Sequence, residues 1–129
     1  MKKTLKISLL IICVSALSSC KKKETENTNN EINVTSKITD VTIKNTDDYE
    51  LDLMISGEEE GASITTQAQN MEKSELVRDS TTNWSVVYYY TPVTNFLGSD
   101  YVEIETCTGG TSMGCSDIEI VRINFTVIN

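Results

Sequence analysis

The chain contains no histidine and one proline. Without an imidazole there is no Ser-His-Asp or Cys-His catalytic centre and no histidine-ligated zinc. Basic residues beyond residue 33 are few and scattered: Lys37, Lys44, Lys73, Arg78 and Arg122. Such spacing excludes a nucleic-acid partner, because phosphate backbones are gripped by clustered Lys and Arg. Carboxylates are plentiful, yet no pair stands out as the acid and base a glycosidase needs. Enzymatic activity, a cofactor and a bound metal are all absent from the expectation. Long apolar runs are missing too. The longest, Ile7 to Leu17, holds about 11 residues against roughly 20 for a membrane-crossing helix.

What that short run does offer is an address. Lys2, Lys3 and Lys6 precede it, and Leu17-Ser18-Ser19-Cys20 closes it. A charged start, an apolar middle and small residues at the end form an export signal. With its cysteine the stretch resembles a bacterial lipoprotein signal and lipobox. The resemblance implies cleavage between Ser19 and Cys20 and acylation of Cys20. Residues 1–19 are then a leader, 20–33 a lipidated cysteine and tether, and 34–129 one folded domain. More than one acyl chain gives stable attachment, each buried CH₂ contributing about 0.8 kcal/mol. The tether, KKKETENTNNEIN from Lys21, is too polar to order itself and suits a flexible spacer. Lys23, Glu24 and Glu26 are similar to a sorting pattern of surface lipoproteins in Bacteroidota.

The mature form loses three positive charges with Lys2, Lys3 and Lys6, so the formal −8 becomes −11. Acidity of this kind favours solubility and spacing from an anionic surface. Cys13 leaves with the leader and Cys20 is acylated. Cys107 and Cys115 remain, seven residues between them. A metal or redox pair is the rival to a disulfide, but the spacing is not C-x-x-C and histidine is absent. In an exported chain the two read as a local disulfide.

From Val34 onward the pattern is strand-like. Ile38, Val41 and Ile43 fall in one run, and Leu51, Leu53 and Ile55 alternate with polar residues in the next. Asn45 to Asp48 and Ser56 to Gly61 have turn composition. Ala62–Gln69 is a weaker strand, and Asn70–Asp79 fits either a helical turn or an edge strand. Trp84–Tyr90, rich in aromatic and β-branched residues, reads as a strand. In that reading Trp84, Val86, Tyr88 and Tyr90 face the core and Tyr89 faces out. Tyr101–Cys107 follows, with Val102, Ile104 and Thr106 inward. In Asp117–Ile128 the parity switches after Ile120, which predicts a β-bulge near Ile120–Arg122. About seven strands, one proline and short turns indicate an all-β antiparallel sandwich.

The C-terminal part carries a sharper signature. Tyr90-Thr91-Pro92, then Phe96, then Gly98-Ser99-Asp100, then a strand and a cysteine-bounded hairpin, follow in order. The run from Tyr88 to Val127 resembles bacterial Ig-like domains of the cadherin-like repeat type. These show Y-T-P, a phenylalanine four residues on, G-[ST]-D and a closing V-x-I-x-V. The family often has tyrosine where Ile104 stands, and the N-terminal half agrees only in being strand-rich. The resemblance implies an Ig-like sandwich and leaves the role open. Independently of it, Pro92 ends a strand. Phe96 is suited to plug the core, Gly98 to take positive φ, and Asp100 to cap a corner.

Three surface features are candidate sites. Trp84 and Tyr89 are candidate ligand-binding aromatics. Ser80, in Asp79-Ser80-Thr81, resembles an O-glycosylation acceptor of exported Bacteroidota proteins. The acidic runs Glu58–Glu60 and Asp47-Asp48 lack calcium-loop spacing and read as solvated turns. The sequence thus points to a lipid-anchored lipoprotein of the cell envelope, at the outer membrane. It serves as a non-enzymatic interaction or structural module for an envelope protein, or alternatively as a glycan binder.

Overall fold

A computed structural model describes residues 32–110 and 114–129. The leader, Ser19, Cys20 and most of the tether lie outside the described residues. Seven strands run in order: β1 (Asn33–Lys44), β2 (Tyr49–Asp52), β3 (Gly61–Thr66), β4 (Met71–Val77), β5 (Val87–Pro92), β6 (Gly98–Thr108) and β7 (Asp117–Ile128). They form two sheets, β1-β7-β6-β3 and β2-β5-β4. Pairing is antiparallel except between β1 and β7, which run parallel. The architecture is therefore the expected all-β sandwich, with one parallel edge.

Alternation explains the core. Val102 and Ile104 of β6 and Val121, Ile123, Phe125 and Val127 of β7 are buried on the inner face of the four-stranded sheet. Tyr88 and Tyr90 of β5 meet them from the second sheet. Tyr49 adds an edge-on contact to Phe125 at 5.3 Å between centroids. Asn70–Asp79, ambiguous in sequence, supplies β4, an edge strand beside β5.

Near Pro92 the structure gives each marker a place. Gly98 has a φ of 137°, a region other residues rarely adopt, and Phe96 packs partly buried against the core. Asp100 caps a corner, though not its own. Its carboxylate accepts N–H groups from Gln69 at 3.0 Å and Asn70 at 2.7 Å, in the β3–β4 turn. The Tyr90 hydroxyl donates to the same carboxylate at 3.3 Å.

Two sequence expectations are overturned. β7 pairs with β6 without a break from Asp117–Thr108 to Val127–Gly98, so no bulge lies near Ile120–Arg122. Odd-numbered residues keep the inner face throughout, which turns Ile118 and Ile120 outward. The irregularities fall instead at Ile64/Thr66 in β3 and Met71/Lys73 in β4. Trp84 is the second correction. It precedes β5, takes a φ of 62° and is 61% exposed, so it leaves the core to Val86, Tyr88 and Tyr90.

Candidate functional site

The antiparallel order brings three connections to one end of the sandwich: 53–60, 78–86 and the one between β6 and β7, of which 109–110 and 114–116 are described. β1 also begins there, where Asn33 N–H donates to the Ser116 carbonyl at 2.9 Å. One side chain ties two of these loops together. Arg78 Nε donates to the Trp84 carbonyl at 2.9 Å and Nη1 to that of Glu60 at 2.9 Å. Nη2 reaches the carbonyls of Ser56 and Gly57, both at 2.7 Å. A guanidinium is the only side chain with enough donors in a rigid fork for such a task. The third loop closes on the first at Gly110, where any Cβ would collide with the Glu59 carbonyl. Cys107 and Cys115 staple the base of this third loop as a disulfide, with Cα atoms 5.7 Å apart.

Within this frame three non-glycine residues adopt left-handed backbone: Met54 at φ 59°, Asn83 at 51° and Trp84 at 62°. Asparagine tolerates that region, whereas Met and Trp are held there by neighbours at a cost of about 1–3 kcal/mol each. The neighbours are visible. Asp52 Oδ1 accepts the Met54 N–H at 2.7 Å and also the Ser85 hydroxyl. These bonds, Ser85 first, hold the Asp52 carboxyl below the usual carboxylate range. Asp79 does the same for the other turn, accepting from the Thr81 hydroxyl at 2.6 Å and the Thr81 N–H at 2.7 Å. Its carboxyl is lowered by those bonds in turn. The Trp84 N–H donates to the Asp79 carbonyl at 2.8 Å. The outcome is two large apolar side chains presented to solvent, Met54 at 84% and Trp84 at 61% exposure.

Below the loops the sandwich is open on one side. β2 has four residues, so it does not cover the inner face of the four-stranded sheet toward the loop end. A cleft of about 350 Å³ remains there. Its floor is polar, with Thr35, Lys37, Thr106 and Glu119, and its wall is apolar, with Leu51, Leu53 and Ile55. Met54 borders it, which makes cleft and loop end one continuous surface.

Of the residues singled out in the sequence, Trp84, Ser80, Glu58–Glu60 and the Cys107–Cys115 pair converge on the loop end. Ser80 is exposed at the start of a turn. Tyr89 does not join them. It sits on the outer face of β5, half-buried, with the Lys73 ammonium 4.4 Å from its ring centre. Sequence reasoning missed Arg78, Met54 and Lys37. Only Asn83 hinted at left-handed backbone. Among the described residues no group of three acidic or cysteine side chains is arranged to hold a metal ion.

No protein-family model and no curated protein matches the sequence. Similar solved structures include an endo-fucoidan hydrolase of glycoside hydrolase family 107, at 15% identity and a TM-score of 0.46. That match covers 70% of this chain, which spans 12% of the hydrolase. A cysteine protease inhibitor from Entamoeba histolytica matches at 8% identity and 0.46, covering 73% of this chain and 96% of the inhibitor. A 2,6-sialyltransferase from a Photobacterium species matches at 13% and 0.42, covering 74% of this chain and 18% of the enzyme.

Proposed function

We propose that the protein is a lipid-anchored, non-enzymatic interaction module of a bacterial cell envelope, at the outer membrane, and that its loop end contacts a protein partner. The observation that carries this reading is the presentation of Met54 and Trp84. A fold that holds two large apolar side chains outward on left-handed backbone is using local strain to place them. Exposed apolar anchors within a polar rim are what interface centres are made of. The rim is acidic, with Glu58, Glu59, Glu60 and Asp79, so the partner surface is basic around an apolar socket. Acylation at Cys20 and an Ig-like family membership rest on the sequence patterns alone.

A second reading takes its support from Trp84 itself. An exposed indole beside Thr82, Asn83 and Ser85 suits stacking on a sugar ring with hydroxyls hydrogen-bonded around it. Ser80, exposed in the same loop, remains the proposed O-glycosylation position.

Crosslinking of intact envelopes followed by affinity capture tests the lead reading. One stoichiometric protein partner is expected, lost in the Met54→Ala/Trp84→Ala double variant and kept in Tyr89→Ala. Saturable binding on a glycan array, abolished by Trp84→Ala with no protein captured, would replace it with the glycan reading.

A further inference from the structure

Among the described residues β1 is one of the two edge strands of the larger sheet, twelve residues long, without proline or bulge. Its hydrogen-bonding is set by its parallel neighbour. Asn33 and Asn45 donate their N–H groups to the Ser116 and Ile128 carbonyls of the β7 segment. Parallel ladders use every second residue, so odd-numbered residues of β1 carry the pairing. The N–H and C=O groups of Val34, Ser36, Ile38, Asp40 and Thr42 therefore point along the free edge. On the outer face this edge shows Val34 and Ile38, 63% and 66% exposed. On its inner face Thr35 and Lys37 look into the cleft, opposite Leu51, Leu53 and Ile55.

Sandwich proteins usually blunt such an edge with proline, bulges, short strands or an inward charge. β1 has one such device, Lys37. No carboxylate stands within ion-pair distance of its ammonium among the described residues, where Lys73 and Arg122 form the ion pairs. An inward lysine rejects an indiscriminate apolar strand and accepts one that brings an acid.

We infer that the free edge of β1 binds an extended polypeptide segment by strand addition, with apolar side chains entering the cleft and one acidic side chain meeting Lys37. Three features select this occupant. The edge repeats donors and acceptors at the spacing of a strand backbone, as in β-augmentation. The cleft wall is apolar where alternate side chains of an added strand would point. Lys37 supplies the charge that an acidic residue complements. The inference rests on the reading of the chain as a protein-interaction module, but its binding element is the edge of β1 and the adjoining cleft, which Trp84 does not line.

The test uses the full chain in detergent and a phage-displayed library of random decapeptides. Selected peptides are expected to alternate apolar and polar residues with one Asp or Glu at a fixed place. Ser36→Pro is the edge variant. Residue 36 lends its N–H only to the free edge, so proline there leaves the β7 ladder intact. Binding should fall by at least about tenfold, the loss expected for a few main-chain bonds. Lys37→Glu should move the selected charge from acidic to basic. Thermal melting of both variants must match the parent, and Thr39→Val, which touches neither device, serves as a folded control. Three results would overturn the assignment: peptides without alternation, binding that survives Ser36→Pro, or a concentration-dependent dimer that Ser36→Pro abolishes. The last would give the edge to a second copy. Loss of the envelope partner in Trp84→Ala alone, a residue outside the cleft, bears on the loop end and leaves this edge standing.

Discussion

Tyr90 lies flat on Phe125, with ring centroids 4.0 Å apart and 10° between planes. The stack joins the two sheets at their most buried point, since both residues are essentially inaccessible. Phe125→Ala removes one ring and leaves a cavity under the other, at an expected cost of about 3–5 kcal/mol. A urea titration measures it. A midpoint close to the parent would mean that the sheets are joined elsewhere.

Asp100 concerns a different layer of the same region. Replacing it with alanine strips the acceptor from the Gln69 and Asn70 N–H groups and from the Tyr90 hydroxyl. The two N–H groups are part-buried and the Tyr90 hydroxyl keeps the Asn70 carbonyl at 3.3 Å, so the loss is about 1 kcal/mol for each N–H bond. The variant should be among the least stable single substitutions, and Asp100→Asn, which retains one acceptor oxygen, should fall between. Equal stability for alanine and asparagine would contradict the capping role.

Tyrosine ionisation should set an alkaline limit. Burial is the main cause that pushes the Tyr88 phenol up to about 12, and burial together with Asp100 raises Tyr90 as well. In the unfolded chain both ionise near 10. Between about pH 10 and about pH 12 the unfolded state binds fewer protons than the native one, so stability falls as pH rises. The slope is about 1.4 kcal/mol per pH unit for each phenol. Denaturation at stepped pH should show this decline, shallower in Tyr88→Phe; a flat profile over that window would remove its basis.

Arg78→Ala should free two loops at once. Four bonds from the guanidinium to backbone carbonyls are lost, with a stability cost on the order of 2 kcal/mol. Hydrogen exchange by mass spectrometry is expected to speed up in peptides covering 53–60 and 79–86 and to stay constant in β6 and β7. Arg78→Lys, with charge but no fork, should behave like the alanine variant. Rescue by lysine would reduce the role of Arg78 to its charge.

Cys20→Ser should move the protein from the detergent-extracted membrane fraction to the soluble fraction. Mass spectrometry of the parent should find acyl chains on Cys20. Membrane association unchanged by the substitution would end the lipoprotein reading.

The sequence displays β5, β6 and the second half of β7 openly, because their inner residues are both apolar and covered. It misleads at the start of β7. Asp117 and Glu119 share the inner face with Val121, yet they are polar because the short second sheet leaves that stretch uncovered. Ile118 and Ile120 then look like core and suggest a bulge that does not form. Trp84, a candidate binding aromatic, was misplaced as a core residue, and the structure turns it to solvent. Asn83 hints at left-handed backbone, but nothing in Trp84 itself reveals that it follows, since the bonds that hold it come from Asp79 and Arg78. Lys37 carries no sequence signal either. Its meaning depends on an edge strand and a cleft, both products of pairing across the whole chain.

The first ladder bond of β1, from Asn33 to Ser116, places the point where the chain enters the sandwich at the loop end. With an acyl group on Cys20, only twelve residues separate the bilayer from Asn33, at most about 40 Å of extended chain. The chain enters the sandwich at the loop end, so on the proposed lipid-anchored reading the end that carries Met54 and Trp84 is the one tied to the bilayer. On that reading, the protein partner proposed for the loop end is one held at the same membrane, within the reach of the tether.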